Sequence, residues 1–446
     1  MYNDVTYTSE LTVALDIGTT KVCAIAGIRN EYGRIDILGI GTVKSEGVNR
    51  GVVSNIEKTS KAIKLAVEGA EQSSGKKFDR VHVGIAGQHI KSYHHHGMLV
   101  RNNSLTEISK ADVEKLINDM HKLALPAGDK ILHVIPQEFT VDDETNIIDP
   151  IGMAGVRLEA NFHIITGQIS ASQNIIKCVE KVGLKIADMT LEPIASANAV
   201  LSEEEKEAGV VLVDIGGGTT DITIFHEGII RHTAVLPFGG NIVTKDIKEG
   251  CIVMASQAEK LKVKFGSALS DEVYDNRVIT IPGFKGGEPK EVTERNLARI
   301  IQARVEEIFD YVLWEIKRSG YENKLIAGMV LTGGGSLLKN INLLVEGHTG
   351  HSVRIGMPID HLAHGYSSEL ASPVYSTALG LLLTAIDNQD EIVNTPTTDE
   401  KEVIDLDETE QGEEGEQTEE VTEPTRMNNF FTYVKEFFET TPDSEF

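Results

Sequence analysis

Apolar runs and amphipathic stretches alternate along most of the chain. Leu11 to Ile17 and Val210 to Ile215 are strand-like runs, and each passes through a short polar turn straight into a second one, Val22 to Ile28 and Ile222 to Phe225. Further strand-like runs cover Val81 to Ile85, Ile131 to Ile135, Phe162 to Thr166 and Gly328 to Thr332. Helical spacing is clearest in two places. Ser109 with Asp112 forms a capping box that opens a helix with Val113, Leu116, Ile117, Met120 and Ala124 on one side. From Thr293 to Arg318, Leu297, Ile300, Ile301, Val305, Ile308, Val312 and Ile316 fall on one face of a long amphipathic helix, a spacing that reports core and no chemistry. Alternating strand and helix predicts a mixed α/β architecture.

Two segments repeat. Asp16-Ile-Gly18-Thr19-Thr20-Lys21 and Asp214-Ile-Gly216-Gly217-Gly218-Thr219-Thr220-Asp221 each end an apolar strand and turn at once into the next. They lie nearly two hundred residues apart, far beyond a solenoid period, and predict two similar halves facing each other. The first half is expected over 10–83 and 166–207, with a final helix 374–387 returning to it. A small α/β insert is expected at 84–165, and the second half at 208–373.

The pattern stops at the C-terminal end. Residues 388–425 lack apolar periodicity and aromatic side chains, which predicts a disordered tether, because ordering it would bury too little surface to offset the entropy. At 427–439 the spacing returns: Phe430, Phe431, Val434, Phe437 and Phe438 gather on one face of a short amphipathic helix.

Composition narrows the function. A chain of 446 residues, 41% hydrophobic and 25% charged, can bury the cores of two to four compact units. No stretch reaches the ~20 apolar residues of a membrane-spanning helix, and Met1 to Glu10 has neither the basic start nor the apolar run of a signal peptide. Cys23, Cys178 and Cys251 are too few and too scattered for a disulfide framework or a zinc spacing, which points to a reducing cytoplasm. The net charge of −26 argues against nucleic-acid binding. More than half of it, −14, falls within 388–425, leaving about −10 on the folded body.

Glycine and threonine at strand ends let backbone N–H groups converge on an anion, and Gly216 to Gly218 present no Cβ to block a polyphosphate. Carboxylates beside phosphates need a cation between them, and magnesium is commonly held by one or two carboxylates with phosphate oxygens and water. Asp16 and Asp214 are the candidates, with Asp221 as a third, while Lys21 and the threonine hydroxyls can touch phosphate. The alternative for a single Asp-Ile-Gly is an ordinary hairpin turn; two copies and a third glycine turn, Gly333-Gly334-Gly335-Ser336 before a helix-like 337–344, weigh against it. No Gly-x4-Gly-Lys-Ser/Thr sequence is present, so the turn is not a P-loop. His94, His95 and His96 lie next to each other on a strand, point to alternate faces, and offer no metal set.

Taken in order, Asp-Ile-Gly-Thr-Thr-Lys, Asp-Ile-Gly-Gly-Gly-Thr-Thr-Asp and Thr-Gly-Gly-Gly-Ser resemble the phosphate-1, phosphate-2 and adenosine motifs of the actin, heat-shock chaperone and sugar-kinase superfamily. Within it the chain is most similar to the FtsA family of bacterial cell-division proteins over about 10–387 and the terminal helix. Gly-Ile-Ala-Gly-Gln88-His, Leu191-Glu192-Pro193-Ile-Ala-Ser-Ala and Ala258-Glu259-Lys-Leu-Lys262 look like that family where other members of the superfamily differ. The resemblance implies an actin-like ATPase fold of two halves around a nucleotide cleft, with ATP and magnesium as cofactors and at most slow hydrolysis. It places Asp16 and Asp214 by the magnesium ion, Gly18, Thr19, Thr20, Lys21, Gly216, Gly217, Gly218, Thr219 and Thr220 by the phosphates, Glu259 and Lys262 by the ribose, and Gly333, Gly334, Gly335 and Ser336 by the adenosine. Glu192 falls where relatives carry a residue that orients the attacking water; its other reading is a surface helix start before Pro193.

The same resemblance implies a head-to-tail filament at the division site, on the cytoplasmic face of the inner membrane, tying FtsZ to lipid through the terminal helix and recruiting later division proteins. That helix departs from the family in one respect: Arg426 and Lys435 are offset by Glu436 and Glu439, so insertion of phenylalanine, roughly 1.5–3 kcal/mol each when fully buried, must outweigh attraction to anionic lipid. A small-molecule kinase of the same superfamily is the alternative, though no acceptor pocket or base is legible. A chaperone would need a large domain after 387, where only the acidic stretch and one helix remain.

Overall fold

The computed structural model describes residues 10–101, 106–283 and 288–394. The chain starts with a meander, β1 (Thr12–Ile17), β2 (Lys21–Arg29) and β3 (Ile35–Lys44), followed by a two-stranded ribbon of β4 (Val48–Asn49) and β5 (Val52–Val53). Helix α1 (Ile56–Ser74) is capped by Asn55, whose side chain accepts from the Lys58 N–H, and ends at Gly75 in the left-handed conformation. It packs Ala62, Ile63, Ala66, Val67 and Ala70 onto the sheet, and β6 (Arg80–Ile85) then enters parallel to β1.

The insert follows: β7 (Lys91–Val100), α2 (Lys110–Met120), β8 (Asp129–Val141), β9 (Glu144–Ile147) and β10 (Arg157–Gln168). Its four strands form one antiparallel sheet in the order β7-β10-β8-β9. The Ser109–Asp112 capping box is present, and α2 lays Leu116 and Met120 over Leu99, Phe139, Leu158 and Phe162. The helix stops at Met120, so Ala124 falls beyond it.

The chain returns to the first sheet through α3 (Ile169–Glu180), β11 (Lys185–Leu191), α4 (Glu192–Val200) and the short α5 (Glu203–Ala208). A second sheet follows from β12 (Val210–Ile215), β13 (Thr220–His226) and β14 (Ile229–Leu236). Helices α6 (Gly240–Gly250) and α7 (Ala255–Phe265), the ribbon β15 (Val278–Ile281) and β16 (Lys290–Thr293), and helix α8 (Glu294–Ser319) come next. The last strands are β17 (Gly328–Thr332) and β18 (Val353–Ile355), with α9 (Ile341–Thr349) between them. Core residues of α8 include Leu297, Ile301, Val305, Ile308, Phe309, Val312 and Ile316, in close agreement with its predicted apolar face.

The two large sheets have the same plan. The first runs β3-β2-β1-β6-β11 and the second β14-β13-β12-β17-β18. In each, an antiparallel meander meets two parallel strands, and the first strand of the meander lies in the centre. A central strand cannot reach solvent along its edges, so its C-terminal end is where polar groups can be presented. Asp16 and Asp214 stand there.

The final helix, α10 (Ser376–Asn394), packs on α4 and β1. It runs past the expected end at 387 and takes in residues assigned to the tether. Arg29 explains the extension: its guanidinium pairs with Asp387 at 2.5 Å and with Asp390 at 2.7 Å, and Asp390 is only 6% exposed. The expected helix at 337–344 is instead a 3-10 turn, Gly334–Leu337, followed by α9. The rest of the expected tether and the helix with Phe430, Phe431, Val434, Phe437 and Phe438 lie outside the described residues.

Candidate functional site

The two repeated turns meet. In β1–β2, Asp16 pairs with Cys23 and Ile17 with Val22; in β12–β13, Asp214 pairs with Asp221 and Ile215 with Thr220. The same number of residues loops out in both, and the tips pack on each other. A Cβ on Gly217 would lie 2.2 Å from Thr20 Cγ2, and one on Gly218 would lie 2.7 Å from Thr19 Oγ1. Only glycine permits this approach. Thr19 Oγ1 also accepts the Gly51 N–H at 3.1 Å, while the Gly240 and Asn241 N–H groups donate to Gly216 O and Gly217 O at 2.9 and 2.8 Å, tying the second turn to the start of α6.

Beside the meeting point is a cavity of about 440 Å³. Asp16, Gly18, Thr19, Thr20, Lys21, Glu192, Asp214, Gly216, Gly217, Gly218, Thr219, Glu259, Lys262, Gly333, Gly334 and Gly335 all line it. Two expected residues do not. Thr220 is fully buried and gives its hydroxyl to Phe238 O at 2.9 Å, and Ser336 turns inward to donate to Gly333 O at 2.7 Å. Several lining residues carry no sequence signal of their own, among them Asn241, Lys264, Lys339 and Thr377. Asp221, the third carboxylate candidate, does face the cavity.

Around Lys21 the charge is unbalanced. Asp16, Glu192, Asp214 and Asp221 share the inner end of the cavity with Lys21, whose Nζ is 2.5 Å from Asp16 Oδ2. Burial works against the Lys21 charge, but Asp16 above all outweighs it and holds the ammonium above the usual lysine range. Burial raises the Glu192 carboxyl well above the glutamate range, and the charges of Asp16, Asp221 and Asp214 push the same way. Asp214 is raised by burial and by Asp16, against the hydrogen bond it accepts from Ser196 at 2.7 Å. Burial, then Asp214, raises Asp221, whose Oδ1 is buried without a partner.

Such a set fits a divalent cation: it lowers the mutual repulsion and occupies the orphaned oxygen. Among the described residues no three acidic, histidine or cysteine side chains converge tightly enough to hold a metal alone. Magnesium keeps several waters and shares its coordination with phosphate oxygens.

Glu192 is not a surface helix start. It opens α4 with its carboxylate in the cavity and its Cγ against Gly84 at the end of β6. Farther along, Lys262 Nζ binds Gly240 O at 2.9 Å, Thr244 Oγ1 at 2.8 Å and Glu259 Oε2 at 2.9 Å, and Thr244 donates to Glu259. The pair expected by the ribose is thus cross-linked to α6.

Comparisons with known proteins agree with this architecture. A family model described as "Cell division protein FtsA" matches residues 211–380, and one described as "SHS2 domain inserted in FTSA" matches 87–166. The cell division protein FtsA of Pseudomonas aeruginosa is 41% identical over 380 residues, covering 85% of this chain and 90% of that one. The FtsA of Escherichia coli is 35% identical, covering 84% and 90%, and that of Bacillus subtilis 34% identical, covering 85% and 84%. Among solved structures, a PilM-PilN type IV pilus biogenesis complex aligns with a TM-score of 0.61 at 14% identity, covering 85% of this chain and 99% of that one. MreB5 of Spiroplasma citri bound to ADP aligns at 0.51 and 15% identity, covering 87% and 99%. These two share the fold.

Proposed function

The chain belongs to the FtsA family of actin-like cell-division proteins, and from that premise we propose that it binds magnesium-ATP between its two halves, polymerises head to tail, and ties FtsZ to the inner face of the membrane through its C-terminal helix. One observation carries the reading: two glycine hairpins, equivalent in the two sheets, touch beside a cavity where Asp16, Glu192, Asp214 and Asp221 gather around Lys21.

In this reading each side chain has a distinct task. The turns Gly18–Thr20 and Gly216–Thr219 take the phosphates from opposite sides, and Lys21 adds a positive charge. Asp16 and Asp214 would hold the magnesium ion. When bound, that ion neutralises charge on the phosphate oxygens. Glu192, at the start of α4, orients a water toward the terminal phosphate; phosphoryl transfer depends mostly on such positioning and charge stabilisation. Burial, with the charges of Asp16, Asp221 and Asp214, holds its carboxyl well above the ordinary glutamate range, so it keeps a proton to higher pH than a free glutamate does.

Membrane attachment in this scheme falls to Phe430, Phe431, Val434, Phe437 and Phe438. One helix with no net positive charge binds lipid reversibly, and a filament multiplies it, since every further anchor on the same polymer engages at high effective concentration. Cosedimentation with lipid vesicles, FtsZ and ATP, omitting each in turn, tests the whole. Expected is lipid-dependent pelleting of FtsZ that needs this protein and is lost on truncation before Met427, while ATP binding survives. Pelleting by the truncated form would remove the anchor assignment, and FtsZ pelleting without this protein would remove the tether.

A further inference from the structure

Helix α4 carries two polar groups one turn apart. Glu192 opens it, and Ser196 follows four residues later on the same face. Ser196 is fully buried, and its Oγ donates to Asp214 Oδ2 at 2.7 Å. Thr377, in the first turn of α10, lies with its Oγ1 at 3.3 Å from the same Oδ2 and 3.0 Å from Ser196 Oγ. One carboxylate oxygen of the second half therefore faces two hydroxyls from two helices packed with the first.

The neighbouring position repeats the arrangement. Ser376 Oγ is 2.6 Å from Thr332 Oγ1, and Thr332 on β17 is the register partner of Asp214 on β12. Consecutive residues of α10 thus grip consecutive strands of the opposite half at one level. Thr332 donates to Gly356 O, so Ser376 supplies the proton of that pair.

The two helices are themselves locked together. A Cβ on Gly380 would lie 1.8 Å from Ala195 O, so α4 and α10 touch backbone to backbone one turn from the hydroxyls. Ala195, at this contact, lies between Glu192 and Ser196 on α4.

We propose that Ser196 and Thr377 are positioning residues that fix the Asp214 carboxylate relative to Glu192, so that the cation-bearing group and the water-orienting group of opposite halves share one reference. This rests on Asp214 serving a cation in the cleft. Two donors on Oδ2 leave Oδ1, packed beside Gly333, with its orientation set. Outer partners of this kind change metal affinity about 10- to 100-fold when removed.

The test is calorimetric titration of ATP into the full-length protein, with magnesium and with EDTA, for wild type, Ser196→Ala, Thr377→Val and the double variant. Expected is an unchanged affinity in EDTA and a loss of about 10- to 100-fold in the magnesium-dependent gain for the double variant. Ser196→Thr, which keeps a hydroxyl, should retain the gain. Gly380→Ala, which keeps both hydroxyls but separates the helices, should lose it. Thr377→Val alone, nearly isosteric, serves if the double variant does not fold. A full magnesium-dependent gain in the hydroxyl-free variants overturns the proposal while leaving the cleft reading intact. If the wild type itself gains nothing from magnesium, the cleft reading falls, and the positioning role with it.

Discussion

Asp16 and Lys21 flank the first hairpin turn and form a 2.5 Å ion pair within the cleft, with the Lys21 side chain 17% exposed and that of Asp16 6%. Removing the ammonium leaves Asp16 uncompensated beside three further carboxyls. Breaking one partner of a buried pair costs about 3–5 kcal/mol. Lys21→Met should therefore melt several degrees below wild type without divalent ions, and millimolar magnesium should recover more of the difference than it adds to wild type. Thermal melts with and without magnesium chloride read this directly. An equal magnesium effect on both proteins would mean that no cation enters among these acids.

Glu192 gives a pH dependence. Its carboxyl titrates in the folded protein well above the ordinary 4.5, so the folded state holds the proton more tightly than the unfolded chain. The corresponding stability is complete below pH 4.5 and is lost as the pH rises through the elevated folded value. At neutral pH an ionised Glu192 is a cost. Glu192→Gln, neutral throughout, should melt higher than wild type at pH 7 to 8, and the advantage should shrink to nothing near pH 4.5. The same variant should bind ATP and lose any slow hydrolysis, which a phosphate-release assay checks.

The hairpin contact sets a steric prediction. A side chain at Gly217 must displace Thr20, whose Cγ2 lies 2.2 Å from where the Cβ would be. Overpacking of this kind costs about 1–3 kcal/mol. Since the displaced group belongs to the opposite turn, Gly217→Ala should weaken ATP binding about tenfold or more. Thr20→Ser should relieve it, because only the methyl is in the way. A double-mutant cycle on ATP affinity measures the coupling; strictly additive effects would mean the turns separate when nucleotide enters.

Much of this site was legible because it is written twice. The repeated Asp-Ile-Gly after an apolar strand fixed both hairpins, and the strand orders of the two sheets carry the duplication through every strand. Thr220 falls outside the cavity for a reason the sequence already contains: it precedes Asp221 on β13, and neighbours on a strand face opposite ways, so only one can reach the cleft. Ser336 differs, since its hydroxyl closes its own turn. The acid-rich start of the expected tether concealed the end of α10, because composition cannot reveal that Arg29 pairs with Asp387 and Asp390. Ser196 sits within the Leu191–Ala197 stretch that resembles the family, but nothing in it points to Thr377, and their contact arises from two helices brought together by the fold.

A second pH dependence arises where the insert meets β14. Ser92 Oγ donates to Thr233 O at 2.9 Å, Gln137 to Ile230 O at 2.9 Å, and Arg231 pairs with Glu138 at 3.0 Å. In the middle of this contact His163 is fully buried, its Nε2 3.3 Å from Thr233 Oγ1 and its ring 5.2 Å from that of His94. Nearby, His232 is held by Glu315 at 2.9 Å, and Arg318 also pairs with that carboxylate. Burial, with smaller contributions from His94 and His232, pushes the His163 imidazole down to about 3. The folded protein thus keeps it neutral where the unfolded chain, near 6.5, takes up a proton. Its contribution to stability is complete above pH 6.5 and is lost as the pH falls toward 3. Between pH 7 and pH 5 that loss amounts to about 2 kcal/mol. His163→Gln, which cannot charge but can still bond Thr233, should be less stable at pH 7 and lose less on acidification. Melting temperatures at pH 7, 6 and 5, with hydrogen exchange over β7 and β14 to locate the opening, distinguish this from a general acid effect: parallel losses in both proteins would mean the imidazole is not the group that senses pH.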